Sequence, residues 1–197
     1  MAGEAVLRAL RHAWLTLDSL NVPAAVVGGI AMATWKHVRA TRDVDVMIAL
    51  SRDGVGPLLD RLTQAGIHRK SDSSLTSLGQ LDVIQLLYEP PETFLHIQID
   101  LLLAQSPYYR AALERRVATR LPDLDIEIAV LACEDLIVNK LLAGRIIDRA
   151  DAAALLRANR ASLDLDYLLR WIGELDLVSE MAEVWNEAFP GEPLPVE

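Results

Sequence analysis

The sequence predicts an α+β (mixed α/β) fold, with strands and helices up to about residue 131 and only helices after it. Two observations support this prediction. Segments with an apolar residue at every second position, typical of strands with one buried face, occur only in the first two thirds of the chain. Beyond them, apolar residues recur at helical spacing. We therefore predict a first domain over residues 1–131 and an all-helical second domain over residues 132–197.

Each element follows from its local pattern. A first helix over about residues 3–20 has one apolar face, and a short apolar strand over 22–27 leads into the glycine pair Gly28-Gly29. A helix is predicted to begin at Ile30. The remaining predictions are strands over 43–50, 82–88, 95–103 and 126–130, helices over 55–64 and 107–116, and a polar loop over 71–79.

Composition excludes several classes of protein. The 197 residues include 28 acidic and 19 basic ones, for a net charge of −9, which disfavours a protein that grips long nucleic acid through many phosphates. Hydrophobic residues make up 52%, so the chain is not disordered. The lone Cys133 excludes a disulfide framework and a cysteine-rich zinc site. No segment has the roughly 20 consecutive apolar residues of a membrane span, and we expect a cytoplasmic protein without membrane contact.

Three aspartates form the most informative pattern. Asp43 and Asp45 lie on one face of the strand over 43–50, and Asp100 lies opposite the apolar face of the strand over 95–103. If these strands are neighbours, the carboxylates converge on a site for Mg²⁺ or Mn²⁺, since magnesium prefers carboxylate, phosphate and water oxygens. Such a site suits phosphoryl-type transfer, and it requires the carboxylates to approach within about 6 Å. An isolated Asp-x-Asp would instead indicate an ordinary solvated strand face.

The glycine pair Gly28-Gly29 complements these carboxylates. Glycine lets the backbone approach a ligand closely, and the start of the following helix offers unpaired N–H groups to phosphates. Three cations follow within seven residues, at Lys36, Arg39 and Arg42, close to where a triphosphate would lie. The neighbouring His37 is interpreted as a surface or hydrogen-bonded group.

A second informative segment runs from Glu134 to Asp151. On one continuous helix, Lys140, Gly144 and Asp151 fall near a common face, with Asp148 at its edge. The lysine could reach phosphates while the aspartates orient it or the nearby arginine. The alternative is an amphipathic helix whose charges form ordinary surface pairs.

Together these motifs resemble a known family. Gly28-Gly29, the Arg-x-Thr-x-Asp-x-Asp sequence over 39–45 and Asp100 resemble the minimal nucleotidyltransferase pattern of the polymerase-beta-like superfamily, and the segment over 134–151 resembles the AbiEii-type nucleotidyltransferase toxins. The resemblance covers about residues 22–155. It implies a nucleotidyltransferase-like mixed sheet flanked by helices, followed by a helical C-terminal region.

The resemblance also implies roles for individual residues. Asp43 and Asp45 would bind the metal ions that carry a nucleoside triphosphate, and Asp100 would complete that site and help to activate an acceptor hydroxyl. The residues expected to bind the nucleotide are Gly28, Gly29, Arg39, Thr41, Lys140 and Asp148. Many superfamily members have Gly-Ser where this chain has Gly-Gly, and AbiEii-type proteins are often longer than this chain.

We therefore predict a Mg²⁺-dependent enzyme that moves a nucleoside monophosphate from a nucleoside triphosphate to an acceptor hydroxyl and releases pyrophosphate. The acceptor is an RNA, a protein or a small molecule, and the protein would be the toxin of a toxin–antitoxin pair with an antitoxin protein as partner. One alternative is an aminoglycoside-type antibiotic nucleotidyltransferase, because an acidic protein attracts a cationic acceptor. A second alternative is a non-catalytic nucleotide-binding or interaction module, which would have less need of Asp100.

Overall fold

The computed structural model describes residues 2–71, 76–78 and 81–195. The helices in these ranges are α1 (Ala2–Ser19), α2 (Gly28–Thr34), α3 (Val55–Gln64), α4 (Pro107–Glu114), α5 (Cys133–Ala143), α6 (Ile146–Asn159), α7 (Leu165–Glu174) and α8 (Val178–Ala188). The strands are β1 (Ala24–Val26), β2 (Asp43–Ile48), β3 (His68–Arg69), β4 (Thr76–Leu78), β5 (Leu81–Tyr88), β6 (Ile97–Leu103), β7 (Val117–Leu121) and β8 (Ile126–Val130). The predicted mixed fold is confirmed.

The chain divides into two compact units. We call the first the sheet unit; it comprises the chain up to Ile30 together with Ala40–Leu131 and contains all the strands given above. The second, the helical unit, comprises Ala31–Arg39 and the chain from Ala132 onward, with α5 to α8. The division into two domains at residues 131 and 132 stays a prediction. In the structure, Ala31–Arg39 groups with the later helices.

In the sheet unit, the strands form one mixed sheet in the order β3-β5-β6-β2-β1-β8-β7, and β4 also pairs with β5. Strands β2 and β6 are parallel, so the sequence-distant residues Asp45 and Asp100 become register partners. The apolar residues of alternate positions point the other way: Val44 and Val46 of β2 and Ile99 of β6 are fully buried. Helix α1 packs against β2 and β6. This alternation leaves the polar positions of both strands together on one face.

The helical unit contains a break that the sequence pattern concealed. We predicted one continuous helix through Lys140 and Asp151, but α5 ends at Ala143 and α6 begins at Ile146. Gly144 between them has a left-handed backbone (φ 67°), a conformation that ends helices and that glycine adopts without steric cost. The single-helix prediction is therefore wrong, and Lys140 meets the aspartates of α6 across a turn.

Other differences are local. Strand β7 was not predicted, since its residues alternate only between half-buried and exposed and carry little apolar signal. The predicted loop over 71–79 lies partly outside the described residues, and within it Thr76–Leu78 forms β4. Among the residues that the structure describes, no helix combines the length and the apolar character required to cross a membrane.

Candidate active site

The sheet unit brings the three predicted carboxylates together. The parallel register of β2 and β6 places Asp45 beside Asp100, and Asp43 lies two residues earlier on the same face of β2. Each of the three half-buried side chains offers one oxygen, and these oxygens lie within 4.8 Å of one another. This spacing fits a divalent cation held by several carboxylates, and it meets the limit of about 6 Å set above.

Hydrogen bonds hold two of these carboxylates in place. The Thr41 hydroxyl donates to Oδ1 of Asp43 at 2.7 Å. The Gln98 amide nitrogen donates to both carboxylate oxygens of Asp100, each at 2.9 Å. The ammonium of Lys70 in turn donates to the Gln98 amide oxygen at 2.6 Å. The carboxylates therefore sit in a network of donors.

The charge of Asp100 is poorly compensated. Burial raises its pKa, and the neighbouring Asp43 carboxylate raises it further. Hydrogen bonds from Gln98 and Gln85 and the charge of Lys70 lower the pKa, but the net shift is upward from 3.8. A bound cation would stabilise these half-buried carboxylates, because its positive charge offsets their mutual repulsion and the hydration that they lose on burial. The chemistry of the site therefore fits Mg²⁺ or Mn²⁺.

Gly28 allows the backbone to approach the carboxylates. Its φ of +63° lies in the left-handed region, and a Cβ at this position would lie 2.0 Å from Oδ2 of Asp45. A Cβ at Gly29 would lie 2.8 Å from Cβ of Thr41. At both positions the neighbouring side chain leaves no room for a Cβ, so only glycine fits. Helix α2 begins at Gly28 rather than at the predicted Ile30, so the glycine pair forms its first turn.

The helical unit contains a separate buried ionic network. The ammonium of Lys140 lies 2.8 Å from Oδ1 of Asp148 and 3.0 Å from Oδ2 of Asp151. Asp151 also bonds to His37 at 2.9 Å and to Arg39 at 3.1 Å, and both belong to the segment Ala31–Arg39. The lysine and the two aspartates are all buried. The network thus joins the turn between α5 and α6 to a segment more than 100 residues earlier.

The aspartates of this network are held in their ionised form. Burial alone would raise the pKa of Asp148, but hydrogen bonds from Arg145 and Lys140 outweigh it and the net shift is downward from 3.8. The same holds for Asp151, whose pKa is raised by burial but lowered more by hydrogen bonds from His37 and Lys140 and by the charge of Arg39.

The predicted nucleotide-binding residues are thus divided between the units. Gly28, Gly29 and Thr41 adjoin the carboxylates in the sheet unit. Arg39, Lys140 and Asp148 belong to the helical unit. The sequence analysis did not identify Gln98 and Lys70 as neighbours of the carboxylates. Gln98 was detectable because it shares strand parity with Asp100, whereas Lys70 adjoins the site only through the pairing of β3 with β5.

Comparison with known proteins identifies the family. The family described as "Nucleotidyl transferase AbiEii toxin, Type IV TA system" matches residues 8–194, almost the whole chain. This chain belongs to the AbiEii nucleotidyltransferase toxin family. The match confirms the resemblance found in the motifs and extends it through α8, so both units of this AbiEii-family chain are covered. No curated protein sequence matches the chain significantly.

Solved structures support the same fold for the AbiEii-family chain. An antigenic nucleotidyltransferase-like protein from Paracoccidioides brasiliensis matches with 18% identity and a TM-score of 0.50, covering 93% of this chain and 96% of the other. The antibiotic-resistance factor ANT(2'')-Ia matches with 13% identity and a TM-score of 0.54, covering 95% and 99%. The AbiEii-family chain therefore has a nucleotidyltransferase-like fold.

Proposed function

We propose that this AbiEii-family protein transfers a nucleoside monophosphate from a nucleoside triphosphate to an acceptor hydroxyl. The observation that carries the proposal is the convergence of Asp43, Asp45 and Asp100, with oxygens within 4.8 Å of one another. When bound there, Mg²⁺ or Mn²⁺ would neutralise phosphate charge and stabilise the attacking and leaving oxygens. A binding module without catalysis would have less need of the third carboxylate, Asp100.

The side chains of the sheet unit have distinct roles in this reaction. Asp43 and Asp45 would hold the cation, and the Thr41 hydroxyl fixes the orientation of Asp43. Asp100 accepts the proton of the acceptor hydroxyl. The acceptor oxygen then forms a bond to the α-phosphorus, the bond between that phosphorus and the β-phosphate oxygen breaks, and pyrophosphate leaves with the electron pair. The backbone at Gly28 and Gly29 approaches the phosphates.

Three of the predicted nucleotide-binding residues belong to the helical unit, and we propose that they serve nucleotide binding in different ways. Arg39 is the most exposed of the three predicted residues, with 32% of its side chain exposed, so we expect it to contact a phosphate directly. Lys140 and Asp148 are 9% and 0% exposed. These two residues act indirectly, by supporting the buried ionic network. Lys140 pairs with both Asp148 and Asp151, and Asp151 in turn pairs with Arg39.

Family membership supports a toxin whose activity an antitoxin protein opposes. On this proposal, expression of the wild-type chain in a bacterial host arrests growth, whereas expression of Asp45→Asn at the same level does not. Equal growth arrest by both proteins would contradict a toxic activity that depends on this site.

A cationic small-molecule acceptor is the second candidate. Residues 161–197 include nine acidic residues and one basic residue, which supports attraction of a cation. An assay with an α-labelled nucleotide and either an aminoglycoside, bulk RNA or bacterial protein distinguishes these acceptors, because the label moves to only one of them.

The proposed donor site is tested by thermal unfolding with Mg²⁺ and each of ATP, GTP, CTP and UTP. A nucleotide at about a hundred times its dissociation constant should stabilise the protein by about 2.7 kcal/mol. We expect this gain for at least one nucleotide in the wild type and its loss in Asp43→Asn/Asp45→Asn.

The matched control is Asp53→Asn/Asp60→Asn, which removes the same charge from exposed positions of the sheet unit. It should respond to nucleotide like the wild type. Stabilisation that survives in the Asp43→Asn/Asp45→Asn variant, or the absence of stabilisation by any nucleotide, would contradict the proposed donor site.

A further inference from the structure

Asp100 is the end of a chain of three side chains in the sheet unit. Gln98 and Asp100 are two residues apart on β6 and therefore share a face. Lys70 directly follows β3, and its backbone N–H donates to the carbonyl oxygen of Gln85 on β5 at 3.0 Å. This anchoring brings the Lys70 ammonium within 2.6 Å of the Gln98 amide oxygen. The Gln98 amide nitrogen then lies 2.9 Å from each Asp100 oxygen.

The chemistry of the two neighbours fixes which way the Gln98 amide points. An ammonium group can only donate hydrogen bonds, so it requires the amide oxygen of Gln98. An ionised carboxylate can only accept, so it requires the amide nitrogen. With both neighbours in place, one orientation of the amide makes every contact. In the flipped orientation, the amide oxygen would face the Asp100 carboxylate and the NH₂ group would face Lys70, and neither contact could form.

Because Asp100 belongs to the proposed metal site, this geometry has a functional consequence. We propose that Lys70 and Gln98 are positioning residues, which hold the Asp100 carboxylate in the orientation that completes the cation site with Asp43 and Asp45. This inference rests on the proposed function. Lys70 acts by selecting the orientation of the amide, and Gln98 acts by holding both carboxylate oxygens.

The surroundings of Asp100 explain why such a device is required. The side chain is half-buried beside the like charge of Asp43, so repulsion between the two carboxylates favours rotation of Asp100 away from the cluster. Gln85, its register partner on β5, donates a further hydrogen bond. Together with the two bonds from Gln98, this donor holds the carboxylate in its orientation beside Asp43 and Asp45.

The test is the binding of Mn²⁺ alone to the full-length protein, measured by titration calorimetry, with the nucleotide KM and kcat measured in parallel. Gln98→Met has a similar length without hydrogen bonds and should weaken Mn²⁺ binding by about tenfold or more. Lys70→Met should weaken binding by a smaller factor, and Lys70→Arg, which still donates, should restore it. In both Met variants we expect kcat to fall while the nucleotide KM changes less than kcat.

The control is Arg69→Met, which removes the same charge from the preceding exposed residue of β3. It should bind Mn²⁺ like the wild type, which separates positioning from a change in overall charge. Asp100→Asn provides the reference for a lost ligand. Thermal midpoints and circular dichroism of every variant establish that the fold is retained.

Three outcomes would overturn the inference. If Lys70→Met and Gln98→Met bind Mn²⁺ like the wild type while Asp100→Asn binds it weakly, the cation site stands but the two residues do not position Asp100. If Arg69→Met weakens binding as much as Lys70→Met, the effect is one of net charge. A wild-type protein that binds no Mn²⁺ would overturn the proposed function together with this inference.

Discussion

At the scale of the single residue, Gly28 combines a left-handed backbone with a neighbour that leaves no room for a side chain. A Cβ at this position would lie 2.0 Å from the Asp45 carboxylate. We predict that Gly28→Ala destabilises the protein by roughly 1–3 kcal/mol and abolishes Mn²⁺ binding, because both the backbone and Asp45 must move. Urea unfolding and Mn²⁺ titration measure the two effects.

Gly56 provides the control for that substitution. It lies in α3 of the same unit, and a Cβ there would meet no atom within 4 Å outside its own helix turn and its chain neighbours. Gly56→Ala should therefore leave Mn²⁺ binding unchanged, whatever the local effect of a Cβ next to Pro57 on stability. Normal Mn²⁺ binding by Gly28→Ala would show that the close approach to Asp45 has no part in the site.

Thr41 provides a second prediction at this scale. Its hydroxyl donates to Asp43 at 2.7 Å, and this bond orients a proposed cation ligand. Thr41→Val keeps the shape of the side chain but loses the donor, so we expect Mn²⁺ affinity to fall by about tenfold. Thr41→Ser keeps the hydroxyl and should bind Mn²⁺ nearly as well as the wild type. Equal affinities for the valine and serine variants would be inconsistent with this role.

At the scale of the element, the turn between α5 and α6 is held by charges rather than by apolar packing alone. Lys140 in the last turn of α5 is the shared partner of Asp148 and Asp151 on α6. Lys140→Met leaves two buried carboxylates with less compensation, and we predict a loss of roughly 3–5 kcal/mol in the free energy of unfolding. Urea denaturation of the purified variant measures this loss.

Arg145→Ala tests the same network from its exposed side. Arg145 also pairs with Asp148, but 70% of its side chain is exposed and water can partly replace its charge, so we expect a smaller loss than for Lys140→Met. If the two variants lose similar stability, burial of Lys140 does not determine the strength of the network.

The sequence could predict most of the elements and the three carboxylates, since both depend on local pattern. Alternating residues placed Asp43, Asp45 and Asp100 on polar strand faces, and that inference needed only the period of a strand. The helix break at Gly144 was missed because apolar spacing continues across it, although a basic residue in the last turn (Lys140) followed by a glycine is a known sign of a helix end. Strand β7 was missed because an edge strand with half-exposed residues has weak alternation.

Contacts between segments that are distant in the sequence could not be predicted from local residue patterns. The approach of Lys70 to Gln98 depends on the pairing of β3 with β5, and the pairing of His37 with Asp151 joins residues 114 positions apart. Nothing in the spacing of these residues encodes their partners. For such groups, only the three-dimensional arrangement assigns a role.

At the scale of the whole molecule, acid should weaken the fold through the ionic network. The pKa values of Asp148 and Asp151 are lowered on folding, so their contribution is fully present above the ordinary value of 3.8 and is lost as pH falls through the lowered values. We predict that the free energy of unfolding decreases from about pH 5 towards pH 2. The loss should be smaller in Asp148→Asn, and an identical pH profile for both proteins would contradict the assignment. Urea unfolding at each pH provides the measurement.

The grouping of Ala31–Arg39 with the later helices also constrains how members of this family can recombine. The Trp35 carbonyl oxygen accepts a hydrogen bond from Asn159 at 2.8 Å, and the Lys36 ammonium lies 3.5 Å from the Ala158 carbonyl oxygen. A gene crossover after residue 131 would join helices from one parent to a 31–39 segment from the other. The two pairs need only one of their side chains, but the contacts of His37 and Arg39 with Asp151 join side chains from both stretches, which would then have to match by chance. The helical unit is therefore encoded by two separated stretches of the gene that must be inherited together.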